Sequence, residues 1–268
     1  MKLISKIILC VLIYLAFMLA LFPARLAVSL APLPANLQLG GVSGTIWSGS
    51  IDVIKLQQRQ LEQLSWELSP WALLTGRAKL DFQLGSRASA VNAKGQVTLA
   101  AGGISAEKLR FEAPAEFLMA GSRLPFRTQV SGDISVLLDT LAQGQPWCEA
   151  LSGKVFLNRV GIRNQFGQYP LGDIELGLQC VAGQVQLATD EEKNAIGVAG
   201  TLLLKANEQL EVKARIRETQ AQSEDLKKLC HFWASEMPRD ISLSITTARS
   251  RAFKEAGSRV SLGCRLFS

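Results

Sequence analysis

Histidine occurs once in the chain, at position 231, and that scarcity removes much of the usual catalytic repertoire. A zinc site takes three or four convergent ligands, and no CxxC or HxxxH spacing supplies them. A Ser-His-Asp arrangement would have to rest on His231 without a nucleophile-elbow motif. Serines and lysines are plentiful, but no pair of them stands out as a Ser-Lys site. Glu191-Glu192 reads as charge at a turn and Glu224-Asp225 as the start of a helix. No catalytic residue, metal or cofactor is therefore expected. Charged residues make up 19% of the chain, below the usual value of about 25%. The net charge of +6 is spread between Lys2, Lys6 and Arg25 at one end and a basic surplus after Lys205 at the other. No dense basic patch interleaved with aromatics occurs, so nucleic acid is not an expected partner. There is no low-complexity tract, which argues for a folded chain.

What the sequence does have is apolar residues, and many of them sit in one block. Ile7–Ala24, "IILCVLIYLAFMLALFPA", contains no charged residue. As a helix it would rise about 27 Å, close to the hydrocarbon thickness of a bilayer. Lys2 and Lys6 precede it, and a short basic flank favours the cytoplasm. The alternative is a cleaved signal peptide. Its small-x-small site at Ser29–Ala31 would be followed by Pro32, and Arg25 disturbs the approach to Ala27. An uncleaved single-pass anchor is the expectation: 1–6 cytoplasmic, 7–30 the transmembrane anchor and membrane-proximal segment, and 31–268 a β-rich domain outside the cytoplasm. Cys10 lies in the membrane block. Cys148, Cys180, Cys230 and Cys264 form an even set in an exported domain, which suggests two disulfides. Proximity in sequence favours Cys148 with Cys180 and Cys230 with Cys264; four buried thiols are the alternative.

Beyond an extended connector at Ala31–Gly41, whose Pro32 and Pro34 bar a helix, a period of two dominates. Leu80, Phe82 and Leu84 share a face, as do Ile174, Leu176, Leu178 and Cys180. The same holds for Val185 with Leu187, for Leu210, Val212, Ala214 and Ile216, and for Val260, Leu262, Cys264 and Leu266. This is the pattern of half-buried antiparallel strands. Turns are expected at Gly102-Gly103, Ser131–Asp133, Ser152-Gly153, Ala182-Gly183 and Asn207-Glu208. Helical spacing occurs at Ser69–Gly76, with Pro70 at the first helical position and Gly76 past the end. It occurs again at Ser135–Gly144 and most clearly near 223–237, where Ser223 can act as the cap. The expected fold is mainly β: a single N-terminal transmembrane helix, then a curved antiparallel sheet domain with a few short helices.

"GVSGTIWSGS" at Gly41–Ser50 has glycines but neither the following helix nor the lysine of a phosphate loop. It reads as a first β-strand whose glycines allow close backbone approach, with Trp47 covering one face. Gly44, Thr45, Ile46, Trp47, Ser48 and Gly49 stand soon after the apolar block. They are followed by Trp66, Leu68, Pro70, Leu73, Leu74 and Gly76. This order and spacing resemble the N protein of bacterial type II secretion systems, the general secretion pathway protein N family. "CEALSGKVFLNRVGI" and "LGDIELGLQC" resemble the second half of that family, including its cysteine pair. The resemblance covers about 1–205. It implies an inner-membrane protein with a short cytoplasmic end and a periplasmic β domain, a non-enzymatic accessory part of the machine that exports folded proteins across the outer membrane. Its partners would be other secretion subunits, in the inner-membrane platform or the secretin, and the membrane itself through the N-terminal helix. An exposed sheet edge would let a partner add a strand. A membrane anchor followed by Gly-rich alternating strands also resembles periplasmic β-groove proteins of the AsmA and lipopolysaccharide-bridge type. In that case Leu80, Phe82, Leu84, Val97, Leu99, Leu202 and Leu204 would hold lipid rather than form a core.

Overall fold

The computed structural model describes residues 2–30, 34, 36–56, 59–86, 88–121, 127–165, 167–194, 196–206, 209–217, 222, 224, 243–246 and 263–265. The chain divides into two compact units, residues 1–101 and 102–268.

The first unit begins with helix α1, Lys2–Ala20. Its Leu, Ile and Ala content favours a helix, and no glycine or proline interrupts it. Pro23 sets its limit, because the residue before a proline avoids the helical region. The chain then re-enters a short helix, α2, Ala24–Leu30. The uncharged run Ile7–Ala24 is thus interrupted at Leu21–Pro23, between α1 and α2. Among the described residues no helix is long and apolar enough to cross a membrane. The apolar side chains of α1 are nevertheless exposed along its length, Ile8 by 54% and Phe17 by 64%.

Five strands follow in an antiparallel meander: β1 Leu37–Gly44, β2 Ser48–Leu56, β3 Arg59–Leu68, β4 Ala78–Leu84 and β5 Asn92–Ala100. Each pairs with the next. A single turn-and-a-half of helix, α3, Pro70–Leu74, joins β3 to β4. Val42, Ile51, Leu64, Leu84 and Ala93 lie in one cross-strand row, and Trp66 stands opposite Phe82.

The second unit carries β6 Gly103–Pro114, helix α4 Ala115–Met119, β7 Gln129–Gln143, β8 Cys148–Asn164 and β9 Gly167–Val181. Then come β10 Gln184–Thr189, a 3₁₀ turn at Glu191–Lys193, β11 Val198–Leu204, β12 Gln209–Arg217, β13 Leu243–Thr246 and β14 Gly263–Arg265. Strands β6 to β13 again pair in chain order, antiparallel throughout. β14 departs from that rule and lies parallel to β12. Ala182-Gly183 makes the tight β9–β10 turn, with φ of 50° and 79°, the left-handed pair that a two-residue hairpin requires.

Several expectations are corrected here. Ser135–Gly144 is not helical, because Val130, Ile134 and Val136 favour an extended chain and β7 is paired on both sides, to β6 and to β8. Ser131–Asp133 and Ser152-Gly153 are not turns. The first is a register shift within β7, and the second lies inside β8. "GTIWSG" is not one strand but the turn between β1 and β2 with its flanking residues. The connector expected to reach Gly41 gives way to β1 at Leu37. Of the expected helix near 223–237 only Glu224 is among the described residues, where it is helical, and Cys230 and His231 lie outside them, as does the expected turn at Asn207-Glu208.

In both units the sheet is a single layer among the described residues. In the second unit one face is apolar from strand to strand: Phe111, Val136, Val155 and Leu176 form one row, and Leu178, Leu187, Leu202 and Val212 another. These side chains are half-buried rather than enclosed. Among the described residues the largest side chain under 2% exposed is Cys148. No second sheet covers the face among the described residues, which is the usual way a domain completes its core.

Candidate functional site at the first hairpin turn

The motif residues Gly44–Gly49 build a turn that grips the end of α1. Thr45 N–H donates to the Ser48 carbonyl at 2.9 Å, and Ser48 N–H donates back to Thr45 Oγ1 at 3.2 Å. This closed loop presents three groups to the N-terminal segment. The Trp47 indole Nε1–H donates to the Leu19 carbonyl at 3.0 Å. Ile46 N–H donates to the Phe22 carbonyl at 3.1 Å. Thr45 forms an isolated antiparallel bridge with Pro23. The Leu19 carbonyl belongs to the last turn of α1 and also accepts from Phe22 N–H at 3.4 Å, while Phe22 itself lies just past the helix. The turn therefore holds the helix end and the residues that follow it. Arg25 adds a fourth link, its Nε donating to the Val42 carbonyl at 2.6 Å.

Two glycines are required by this geometry. Gly44 has φ +84°, and a side chain there would meet the Ser48 carbonyl 2.4 Å away. Gly49 stands opposite Trp66 in the β2–β3 register. A Cβ on Gly49 would lie 2.5 Å from the indole ring and 2.7 Å from the Ser43 carbonyl. With its ring seated over Gly49, Trp66 donates Nε1–H to the Ile46 carbonyl at 3.2 Å. Leu68 N–H donates to the Trp47 carbonyl at 2.6 Å. Both tryptophans thus lock the same turn, Trp66 from the sheet and Trp47 toward the helix.

Pro70, Leu74 and Gly76 lie on the next connection. Pro70 opens α3 as expected, although Ser69 makes no side-chain cap bond. Thr75 and Gly76 close it, with Gly76 N–H on the Leu73 carbonyl at 2.9 Å and φ +74° at Gly76. Trp71 and Leu74 are exposed by 76% and 78%.

In the second unit Cys148 and Cys180 are bonded across the β8–β9 pair. Trp147 sits beside them and its Nε1–H reaches the Lys205 carbonyl at 2.9 Å, while Trp147 N–H donates to the Gly183 carbonyl. One end of this sheet is therefore pinned by a disulfide and an indole. Cys10 is free and exposed on α1. The Cys230 and Cys264 side chains lie outside the described residues.

Charge in the second unit is organised in ion pairs across and along the strands. Glu211 accepts from Lys205 at 2.6 Å and from Lys213 at 2.8 Å. Hydrogen bonding from Lys205, then from Lys213, lowers its carboxyl to about 2. Lys154 donates to Glu175 at 2.8 Å, which raises the lysine and lowers the carboxyl. Arg159 bonds the Asp133 carboxylate at 2.7 Å and its own N–H reaches Asp173. An open cleft of about 600 Å³ is lined by Glu116, Met119, Val130, Ser131 and Arg163 among others. Ser131 there donates to the Gly161 carbonyl at 3.3 Å, and among the described residues no lysine lines the cleft. Among the described residues no cluster of His, Cys, Asp and Glu is arranged to hold a metal ion. Glu191 and Glu192 lie in the 3₁₀ turn as charge at a bend.

A profile of the family described as "Type II secretion system (T2SS), protein N" matches residues 35–240. The chain belongs to that family. A protein of Aeromonas hydrophila named "Type II secretion system protein N" is 36% identical over 199 residues, covering 73% of this chain and 78% of the relative. A protein of the same name from Vibrio cholerae serotype O1 is 25% identical over 207 residues, covering 77% and 82%. No solved structure matches. The family is a secretion-system component and is not known as an enzyme. Within the matched span fall the turn, Trp66, α3 and the Cys148–Cys180 pair. Sequence reading missed the partners of the turn: Leu19, Phe22, Pro23 and Arg25. Backbone carbonyls leave no compositional trace, and only the unusual pairing of a tryptophan with a glycine turn hinted that something docks there.

Proposed function

We propose that the chain is a non-catalytic accessory subunit of the type II secretion machinery, anchored in the inner membrane by its N-terminal helix, with both β units in the periplasm. The family supports the secretion role. The observation that carries the anchored reading is the union of two features. The side chains of α1 offer hydrocarbon with no protein against it, and the motif places the Trp47 indole on Leu19 at the end of that helix and Ile46 N–H on Phe22 just past it. The described part of α1 falls short of a crossing by itself. The reading therefore places the apolar length of α1 in the bilayer and Leu21–Ala24, which the β1–β2 turn holds, at its periplasmic surface. Secretion subunits of the inner-membrane platform or the secretin are its partners in this reading, and the outermost strand β1 offers backbone for strand addition.

A second reading has one observation in its favour. The apolar face of strands β6–β12 is broad and half-open, as a lipid-holding groove requires. Fractionation with alkaline extraction, combined with protease treatment of spheroplasts, tests the anchored topology. The expected result is a chain that stays with the inner membrane and is cut from the periplasmic side. Release by alkali would overturn it.

A further inference from the structure

We infer that α3 is a second membrane contact, with Trp71 and Leu74 entering the interfacial layer of the bilayer beside the exit of α1. The inference rests on the anchored reading above and goes beyond it, because nothing in that reading requires a sheet connection to touch lipid.

The meander dictates where α3 sits. In an antiparallel sheet that pairs in chain order, the β1–β2 and β3–β4 connections lie at the same end, and the β2–β3 and β4–β5 connections at the other. The β1–β2 turn holds the end of α1. The β3–β4 connection is α3. The link is short: Leu68 N–H donates to the Trp47 carbonyl, and the Trp47 indole donates to Leu19 of α1. α3 begins two residues after Leu68. The point where α1 would leave the membrane and the start of α3 are thus joined through one tryptophan.

What α3 exposes suits that position. Trp71 and Leu74 are three apart on a helix and so share a face. They are exposed by 76% and 78%, with Leu73 exposed by 39%. Leu21, Leu26 and Leu30 around the helix exit expose apolar side chains as well, by 69%, 52% and 78%. Tryptophan is favoured at the headgroup level, where its ring is apolar and its N–H is wet. Arg25 and Arg77 are exposed at the same end and match the anionic headgroups; Glu67 is an exposed acid there. The short bonded path from α1 through Trp47 and Leu68 to α3 selects the bilayer over a protein partner. The same hydrocarbon phase that covers the anchor lies against whatever stands at its exit.

The test uses the full-length chain in phosphatidylethanolamine–phosphatidylglycerol vesicles containing shallow or deep spin-labelled lipids. An environment-sensitive fluorophore is placed at Leu74→Cys in a chain whose Cys10, Cys230 and Cys264 are serine. A control carries it at Ala88→Cys, in the β4–β5 connection at the opposite end. A third chain carries it at native Cys10, with Cys230 and Cys264 as serine. The expected result is quenching at 74 by the shallow lipid, about twofold or more above that at 88, consistent with burial of about 5–10 Å. Quenching at 10 by the deep lipid is expected alongside. Trp71→Cys with the same label serves as a second position. Quenching at 10 with 71 and 74 no different from 88 overturns the inference and leaves the anchor standing. No quenching at 10 overturns the anchored reading, and this inference with it. Shielding of 71 and 74 only when secretion subunits are added, without lipid quenching, also overturns it and assigns the face to a protein.

Discussion

The indole nitrogen of Trp47 lies 3.0 Å from the carbonyl oxygen of Leu19, 28 positions earlier in the chain. Through this bond the most recognisable motif of the sequence is a clasp on a helix end. Trp47→Phe keeps most of the ring and removes the donor. It should loosen the junction by about 1 kcal/mol, or roughly a fivefold rise in local opening. Hydrogen exchange at the Ile46 amide, whose acceptor is Phe22, reads this directly. Unchanged exchange there would show that the indole bond does not hold the junction.

Gly49 has no room for a side chain. Gly49→Ala must displace the Trp66 ring or bend β2 away from the Ser43 carbonyl. Overpacking of this kind costs about 1–3 kcal/mol. A lowered unfolding midpoint, with altered tryptophan emission, is the expected outcome. Gly102 offers a fair comparison, since a Cβ there meets nothing within 4 Å, and Gly102→Ala should leave the midpoint nearly unchanged.

Much of this architecture was legible because strands announce themselves by alternation. Leu80, Phe82 and Leu84 in β4, and Leu210, Val212 and Ala214 in β12, read as strands and are strands. Pro70 and Gly76 likewise marked α3. The sequence was misleading where two periods overlap. Leu137, Leu138 and Leu141 fit a helical stripe, but they lie in a strand whose ladder on both sides overrides local spacing. Gly132 and Gly153 looked like turn residues and instead lie within long strands. The site was half visible: Trp47 and its glycines drew attention and the apolar run read as an anchor helix, whereas the bonds between them end on main-chain carbonyls, which no side-chain pattern marks.

The Cys148–Cys180 bond closes a loop with a sequence separation of 32. Chain-entropy reasoning for such a loop gives about 3–4 kcal/mol of stabilisation. Replacing both cysteines with serine should lower the urea midpoint of the second unit by a matching amount and leave the first unit unchanged. Equal midpoints with and without the bond would contradict this.

Acid should reveal the Lys205–Glu211–Lys213 cluster. Glu211 has its carboxyl lowered from the ordinary 4.5 to about 2 in the folded chain. A lowered folded value means that the contribution to stability is complete above about 4.5 and is lost as the pH falls toward 2. The stability difference between the native chain and Glu211→Gln should therefore be constant from neutral pH down to that range and then shrink. High salt should reduce it, since Lys213 is largely exposed. A difference that grows on acidification would refute the assignment.

The central claim is that this chain works as a membrane-held part of the secretion apparatus. Crosslinking the tagged full-length protein in intact cells, then identifying proteins and lipids together by mass spectrometry, tests it most directly. The account predicts enrichment of the secretin or of inner-membrane platform subunits, without a stoichiometric lipid. A co-purifying phospholipid or lipopolysaccharide with no secretion subunit would contradict it and make the open apolar face of β6–β12 the working surface.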